Sequence, residues 1–523
     1  MKISQVKIKN FRAYRDEQIV DFNDLTVFVG KNDVGKSSIL EALDIFFNEG
    51  KGTIKIDKED INKQNSESGQ TDILISVVFE DLPDSIIIDS TNQTSLTDEY
   101  LLTSEGKLEI TKVYPNAGKE KVYIRAHHPK KSECADLLLK KQADLKKIIE
   151  NNEIACEDKT RNAVMRRAIW SHYQDDLDLD LVEIDASKED AKNIWNQLKN
   201  YLPLYSLFQS DRKNSDGDSE VQDPMKLAVS EIFKDSEINQ TLDEIASKVN
   251  EKLSEIANRT CEKLREMNPE IADSLNPVIP ATEDLKWGDV FKNVSIAGDD
   301  DIPLNKRGSG VKRLILLNFF RAEVERRKSE RHVPNVVYAV EEPETSQHPD
   351  HQKKLIEAFI SLSNTQNTQI LMTTHSPAIV KMLEFAHLKL ISDESDGKQI
   401  VQIEENKLPY PSLNEVNFYA FDVGSDEYHN ELYGFIEYKE WLDDYKVFQQ
   451  GTERTYKRID RNNNEIELSI ILSEYIRHQI HHPENNLNNR YSHEELSQSI
   501  LAMREFIEEQ KRRNTETVKR LVA

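Results

Sequence analysis

Leu25-Thr-Val-Phe-Val-Gly30-Lys-Asn32-Asp33-Val34-Gly35-Lys36-Ser37-Ser38 is the stretch from which the rest of the chain is read. Leu25 to Val29 is a short apolar run bounded by turn-forming residues, so it predicts a buried strand. Gly30 to Ser37 is a full match to G-x-x-x-x-G-K-[ST]. The following SSILEALDIFF places Ile39, Leu40, Leu43, Phe46 and Phe47 on one face of a helix. Strand, glycine loop and helix thus come in the order that a phosphate-binding loop requires.

The residue types have a chemical reason. Glycines let backbone N–H groups close around phosphate oxygens. A helix start adds its positive dipole. Asn32, Asp33, Val34 and Gly35 form the loop, Lys36 can reach the outer phosphates, and the hydroxyls of Ser37 and Ser38 follow. Ser37 is the expected Mg²⁺ ligand.

Working outward, composition limits what the 523 residues can be. Hydrophobic residues make up 37% and charged residues 31%, too apolar for a disordered chain. Asp and Glu number 94 against 69 Lys and Arg, a formal net charge of −25. Any nucleic-acid contact must therefore use a local patch. No run of 18 apolar residues occurs, so no membrane span is expected, and MKISQVKIKNFR lacks the apolar centre of a signal peptide. Cys134, Cys156 and Cys261 are scattered and odd in number, which fits a reducing cytoplasm. Secreted, membrane-spanning, collagen-like and zinc-ribbon classes are excluded.

Partner motifs lie in the second half. Asn335-Val-Val-Tyr-Ala-Val340 is an apolar run followed by Glu341-Glu342-Pro343-Glu344. A buried strand ending in two acids suits metal binding by Glu341 and activation of an attacking water by Glu342. Gln369-Ile-Leu-Met-Thr-Thr374 ends at His375-Ser-Pro. A histidine there can bond a γ-phosphate or position water. Arg307-Gly-Ser309-Gly310-Val-Lys-Arg313 precedes an apolar helix pattern, a second anion-binding helix start.

KNFRAY at 9–14, the glycine loop, RGSG, VEEPETSQHP and TTHSP stand in one order. In this the chain resembles ABC-type P-loop ATPases of the RecF, SMC and overcoming-lysogenization-defect kind, over about 1–50 and 300–390. The resemblance implies ATP and Mg²⁺ as cofactors, and catalytic roles for Glu342, His375 and Glu341. It implies Arg12 at phosphate, and Ser309 and Gly310 as a signature acting across a dimer. Glu344 to Gln347 would be the D-loop, and Gln209 in LPLYSLFQSDR is the candidate Q-loop residue. Two departures stand out. Glu341 replaces the usual Asp, which implies slow turnover, and RGSGVKR is not a full LSGGQ.

The resemblance is nearest to stand-alone anti-phage defence ATPases of the PtuA and AriA kind. It implies a cytoplasmic homo-oligomer that scaffolds and restrains a separate nuclease of HNH or Toprim type, with nucleic acid a possible further partner. A RecF-like DNA-repair ATPase is the alternative of another class.

The expected fold class is α/β, with a helical insertion and an all-helical C-terminal domain. Expected boundaries are 1–130 for the N-terminal lobe, 131–280 for the helical insertion, 281–405 for the second lobe and 406–523 for the C-terminal domain. Within 225–267, Ile238, Leu242, Ile245, Val249, Leu253, Ile256 and Leu264 fit a long amphipathic helix, either a shortened coiled-coil arm, as the resemblance implies, or part of a helical bundle packed on the lobe. C-terminal helices are expected at about 427–447, 464–482 and 493–512. The middle one ends in Arg477-His478-Gln-Ile-His481-His482-Pro483. Three readings of this end stand open: an R-x4-H ribonuclease motif resembling the HEPN proteins, a metal site, or a structural helix end that docks a partner.

Overall fold

A computed structural model describes residues 1–49, 52–89, 92–187, 191–209, 335–345, 348–394, 397–403, 412–459 and 463–522, with Phe320 and scattered positions between 232 and 252. The signature Arg307 to Arg313, with Ser309 and Gly310, lies outside the described residues. So do Ser346 and Gln347 of the D-loop and most of the 225–267 arm. The chain divides into two compact units. One comprises Met1–Thr26 with Ser37–Met372, and the other Val27–Lys36 with Thr373–Ala523.

The first unit contains a six-stranded antiparallel sheet. Its order is β2 (Gln18–Asp21), β1 (Lys2–Lys9), β4 (Ile73–Glu80), β7 (Leu108–Tyr114), β8 (Lys121–Pro129) and β9 (Leu179–Asp185). A small hairpin, β5 (Ile86–Asp89) and β6 (Asn92–Thr94), follows β4. Alternation sets the faces: Ile3, Val6 and Ile8 of β1 and Ile73, Ile75 and Val77 of β4 are buried. Helices α1 (Lys36–Asn48), α2 (Lys63–Glu67), α3 (Gln142–Asn151), α4 (Asn162–His172) and α5 (Ala191–Leu198) accompany it. Inside this unit Arg166 of α4 makes a two-pronged pair with Glu99, at 2.7 and 3.0 Å, with both side chains buried.

A second set of strands carries the acid motif. β10 (Leu204–Phe208) runs parallel to β11 (Val336–Glu341), with Phe208 opposite Val340. β12 (Thr368–Thr374) is the next strand. β11 is buried from Val336 to Val340, and all of β12 is buried. That is why β11 reads as an unbroken apolar run and β12 carries consecutive Ile370, Leu371 and Met372 rather than an alternating pattern. Helix α6 (Pro349–Ser363) lies between them, with His348 as N-cap and Pro349 in its first turn. β9 and β10 interrupt the 131–280 segment that was expected to be a helical insertion. Both are extended, and each pairs with a strand from a distant part of the chain.

In the second unit β3 (Leu25–Val29), which begins in the first, pairs parallel with β13 (Leu388–Glu394) through Val27 to Val29. β13 pairs antiparallel with β14 (Gly397–Gln402). A short helix, α7 (Pro377–Val380), follows the TTHSP segment. Beyond it come α8 (Leu413–Phe421), α9 (Asp426–Tyr438), α10 (Leu442–Phe448), α11 (Leu472–His481) and α12 (His493–Val522). Tyr428, Leu432 and Ile436 of α9 pack with Leu472 and Ile476 of α11 and with Leu496, Ile500, Met503 and Ile507 of α12. These spacings of three and four give each helix one buried stripe.

The C-terminal region is not all-helical. An antiparallel hairpin, β15 (Arg454–Ile459) and β16 (Glu465–Ile470), precedes α11, so residues 465–470 are strand where helix was expected. Glu465 to Ile470 alternates exposed and half-buried positions, the period of a strand. Asn485 and Asn488 satisfy the hairpin's edge, bonding Lys457 O at 2.9 and 2.8 Å. The expected 427–447 helix is two helices, broken where Glu440 takes φ 59°. Among the described residues no helix is long and apolar enough to cross a membrane.

Candidate nucleotide site

The glycine loop belongs to the second unit as far as Lys36. Gly30 has φ 155° and Gly35 φ 105°, and Asp33 is left-handed at φ 61°. A Cβ on Gly30 would lie 2.7 Å from Ile391 O and 3.0 Å from Val34 Cγ1, so only glycine fits there. The buried Lys36 ammonium donates to Gly30 O at 2.9 Å and Lys31 O at 2.8 Å. The loop therefore wraps its own lysine. Asn32 and Asp33 are exposed, while Val34 is buried beneath them.

Ser37, joined covalently to Lys36, opens the part of α1 in the first unit. Ser38 is buried, as are Ile39, Leu40, Leu43 and Phe46. Phe47 is half-buried, stacked on Tyr205 of β10 with ring centroids 5.4 Å apart, and the Tyr205 hydroxyl donates to Leu40 O at 2.6 Å. These contacts fix the body of α1 against the strand that ends just before Gln209.

At the end of β11, Ser37 and Gln209 both hydrogen-bond the Glu341 carboxyl, while Glu341 Oε1 is buried with no hydrogen-bond partner. Burial pushes Glu341 up to about 8. The neighbouring Glu41 and Glu342 charges push the same way, against the pull of Gln209 and Ser37. Glu342 is left-handed at φ 41°, and its carbonyl accepts from Thr345 N–H at 3.1 Å. A non-glycine residue in that region carries strain of about 1–3 kcal/mol.

Arg12 is also left-handed, at φ 49°. Its guanidinium pairs with Asp60 at 2.7 Å and with Glu41. Burial works against its charge, but Glu41 and Asp60 outweigh burial and raise its pKa. Glu41 Oε1 in turn accepts from Gln209 Nε2 at 3.0 Å. The structure thus brings Arg12, Ser37, Gln209 and Glu341 into one polar chain within the first unit.

Sequence reading missed Glu41 and Asp60. Glu41 stands four residues after Ser37 on α1, hence one turn along the same face, and that spacing is a usable signal. Asp60 carries only a local one, its capping box with Asp57. His375 follows β12 in the second unit, where Thr374 Oγ1 accepts from Ser376 N–H at 3.0 Å.

Among the described residues no cluster of three or more His, Cys, Asp or Glu side chains could hold a metal ion. Mg²⁺ beside a nucleotide does not need one. It takes one or two protein oxygens, keeps waters and shares the phosphates. The orphaned Glu341 Oε1 beside the Ser37 hydroxyl fits that donor set. In the C-terminal region Arg477 pairs with Glu437 at 3.0 Å and lies over Tyr433, while His482 bonds Glu484 at 3.3 Å. The proposed ribonuclease pair thus has two separate sets of partners.

Comparison with known proteins decides the family. A family model described as AAA ATPase domain matches residues 1–380. The chain belongs to the AAA ATPase domain family. This AAA ATPase is an α/β protein with a P-loop and helical parts. Solved structures similar to it include the SMC head domain from Thermotoga maritima, at 13% identity and TM-score 0.32, covering 77% of this chain and 100% of that one. Another is an SmcHead bound to the C-winged helix domain of ScpA, at 12% and 0.35, covering 78% and 99%. A third is an Smc head domain with an extended coiled coil bound to the C-terminal domain of ScpA derived from Pyrococcus furiosus, at 13% and 0.32, covering 78% and 97%. No curated relative matches the AAA ATPase.

Proposed function

We propose that the chain hydrolyses Mg²⁺-ATP and that two copies clasp the nucleotide between them. The observation carrying the hydrolytic reading is the convergence of Ser37, Gln209 and Glu341 at one strand end, with the strained Glu342 next in sequence. Lys36 and the loop N–H groups bind phosphate; the ammonium exchanges the carbonyls of Gly30 and Lys31 for phosphate oxygens. Ser37 and Glu341 hold the metal, which when bound neutralises charge on the phosphate oxygens. Glu342 takes the proton of the attacking water, and His375 positions the outer phosphate. Glu341 in place of Asp supports slow turnover.

The bridged dimer rests on the resemblance that assigns Ser309 and Gly310 to the mate's nucleotide. The further role rests on the same resemblance: a scaffold that restrains a separate HNH or Toprim nuclease in anti-phage defence. The Glu342→Gln variant tests the clasp. With ATP its mass by light scattering should at least double, and an unchanged mass overturns the clasp. For the nuclease role, a candidate nuclease should cut nucleic acid alone and stay silent in complex with this ATPase. Equal cutting in both states overturns that role.

A further inference from the structure

Glu41 is the residue on which two other side chains of the site converge. One carboxylate oxygen pairs with the Arg12 guanidinium, the other accepts from Gln209 at 3.0 Å, and Gln209 also hydrogen-bonds Glu341. The partners come from three remote stretches: Arg12 after β1, Gln209 after β10 and Glu341 at the end of β11. Glu41 itself rides on α1, one turn after Ser37. Its side chain is 12% exposed, so water competes weakly for either oxygen. Asp60 holds Arg12 from the other side at 2.7 Å, and Asn62, next but one in the chain, donates to Arg12 O at 2.7 Å. The arginine is fixed in main chain and side chain alike.

We propose that Glu41 is a positioning residue that couples Arg12 to Gln209, and through Gln209 sets the carboxyl of Glu341 beside Ser37. The inference deepens the hydrolytic reading above and rests on it. A carboxylate can serve both partners at once because its two oxygens are separate acceptors. In glutamine a donor-only NH2 replaces one of these oxygens, so either Arg12 or Gln209 would lose the acceptor it uses. Carboxylates set behind a metal-binding group commonly matter by about 10–100-fold in activity.

Glu41 also repels charge on Glu341, so removing it can change metal affinity for a second reason. The test therefore uses kcat at saturating Mg²⁺ and ATP. Glu41→Ala should lower kcat by about tenfold or more, with the ATP KM within about twofold of wild type, since binding belongs to the Lys36 loop. Glu41→Gln keeps an acceptor for Gln209 and should recover part of the lost rate. The sharper readout is a double-mutant cycle. Arg12→Ala and Gln209→Ala should be non-additive in kcat when Glu41 is present and additive in the Glu41→Ala background. A purely structural role would lower thermal stability without producing that switch.

Wild-type kcat in Glu41→Ala, or the same coupling with and without Glu41, overturns the inference. If Glu41→Ala does not fold, Glu41→Gln carries the cycle, and undiminished coupling there overturns it equally. Lys36→Ala and Glu342→Gln run alongside separate the two levels. If both lose function while the Glu41 variants behave as wild type, only the Glu41 inference fails. If neither loses function, the hydrolytic reading fails first.

Discussion

The Lys36 ammonium lies 2.9 Å from the Gly30 carbonyl oxygen, inside the loop whose nucleotide it is placed to bind. A buried cation held by backbone carbonyls is preorganised, since only its partners change when phosphate arrives. Lys36→Ala should weaken ATP binding by about 10–100-fold, the worth of a charge-assisted hydrogen bond. Isothermal titration checks this, and unchanged affinity contradicts the loop's assignment.

Gly30→Ala attacks the same loop through its backbone. The new methyl carbon meets Ile391 O at 2.7 Å, a main-chain atom that cannot swing aside. Overpacking of this kind costs about 1–3 kcal/mol. Thermal unfolding should shift down and ATP affinity should fall together. Two wild-type values would show that the loop tolerates a side chain there.

Glu341 makes stability depend on pH in nucleotide-free, metal-free buffer. Its carboxyl sits at about 8 when folded, above the ordinary 4.5, because it is buried beside Glu41 and Glu342. Between those values the folded chain binds more protons than the unfolded chain, so stability falls as pH rises. The contribution is whole below about pH 4.5 and gone above about pH 8. Glu341→Gln is neutral throughout. Its melting temperature should exceed wild type by about 3 °C or more at pH 9, with a smaller gap at pH 5. A gap independent of pH contradicts the assignment.

Glu415 of α8 is fully buried and pairs with Arg504 of α12 at 3.0 Å, and Arg504 also lies over Phe418. Burial pushes Glu415 up to about 7 despite that cation. Arg504→Ala strands a buried acid, a loss of about 3–5 kcal/mol in comparable pairs. Hydrogen exchange in α8 and α12 should accelerate by about 100-fold or more. Glu415→Gln combined with Arg504→Met should recover most of the protection. Unaltered exchange in Arg504→Ala would show that the pair holds nothing together.

What the sequence disclosed follows from the range of the forces involved. β3, the glycine loop, α1, β11 and β12 were legible because each is a local pattern: an apolar run, a glycine pair or a helical stripe. Glu341, Glu342 and His375 were legible as strand-end residues for the same reason. The hairpin β15–β16 was misread because Glu465 to Ile470 abuts a true helix, and its alternation is only six residues long. Glu440 breaks the 427–447 helix with neither glycine nor proline to announce it. The contact of Gln209 with Glu41 spans 168 residues, a distance at which no local pattern speaks. Arg12 was named only through the family resemblance, and its pairing with Asp60 and Glu41, 48 and 29 residues away, has no local pattern.

The central claim is that Glu342 activates water at a site that Lys36 and Ser37 build for ATP. The most direct measurement is steady-state phosphate release by wild type and Glu342→Gln, with ATP affinity measured on the same preparations. The predicted result is ATP binding within a few-fold of wild type and turnover lower by about 100-fold or more, the usual share of a general base. Equal turnover in the two proteins would contradict it.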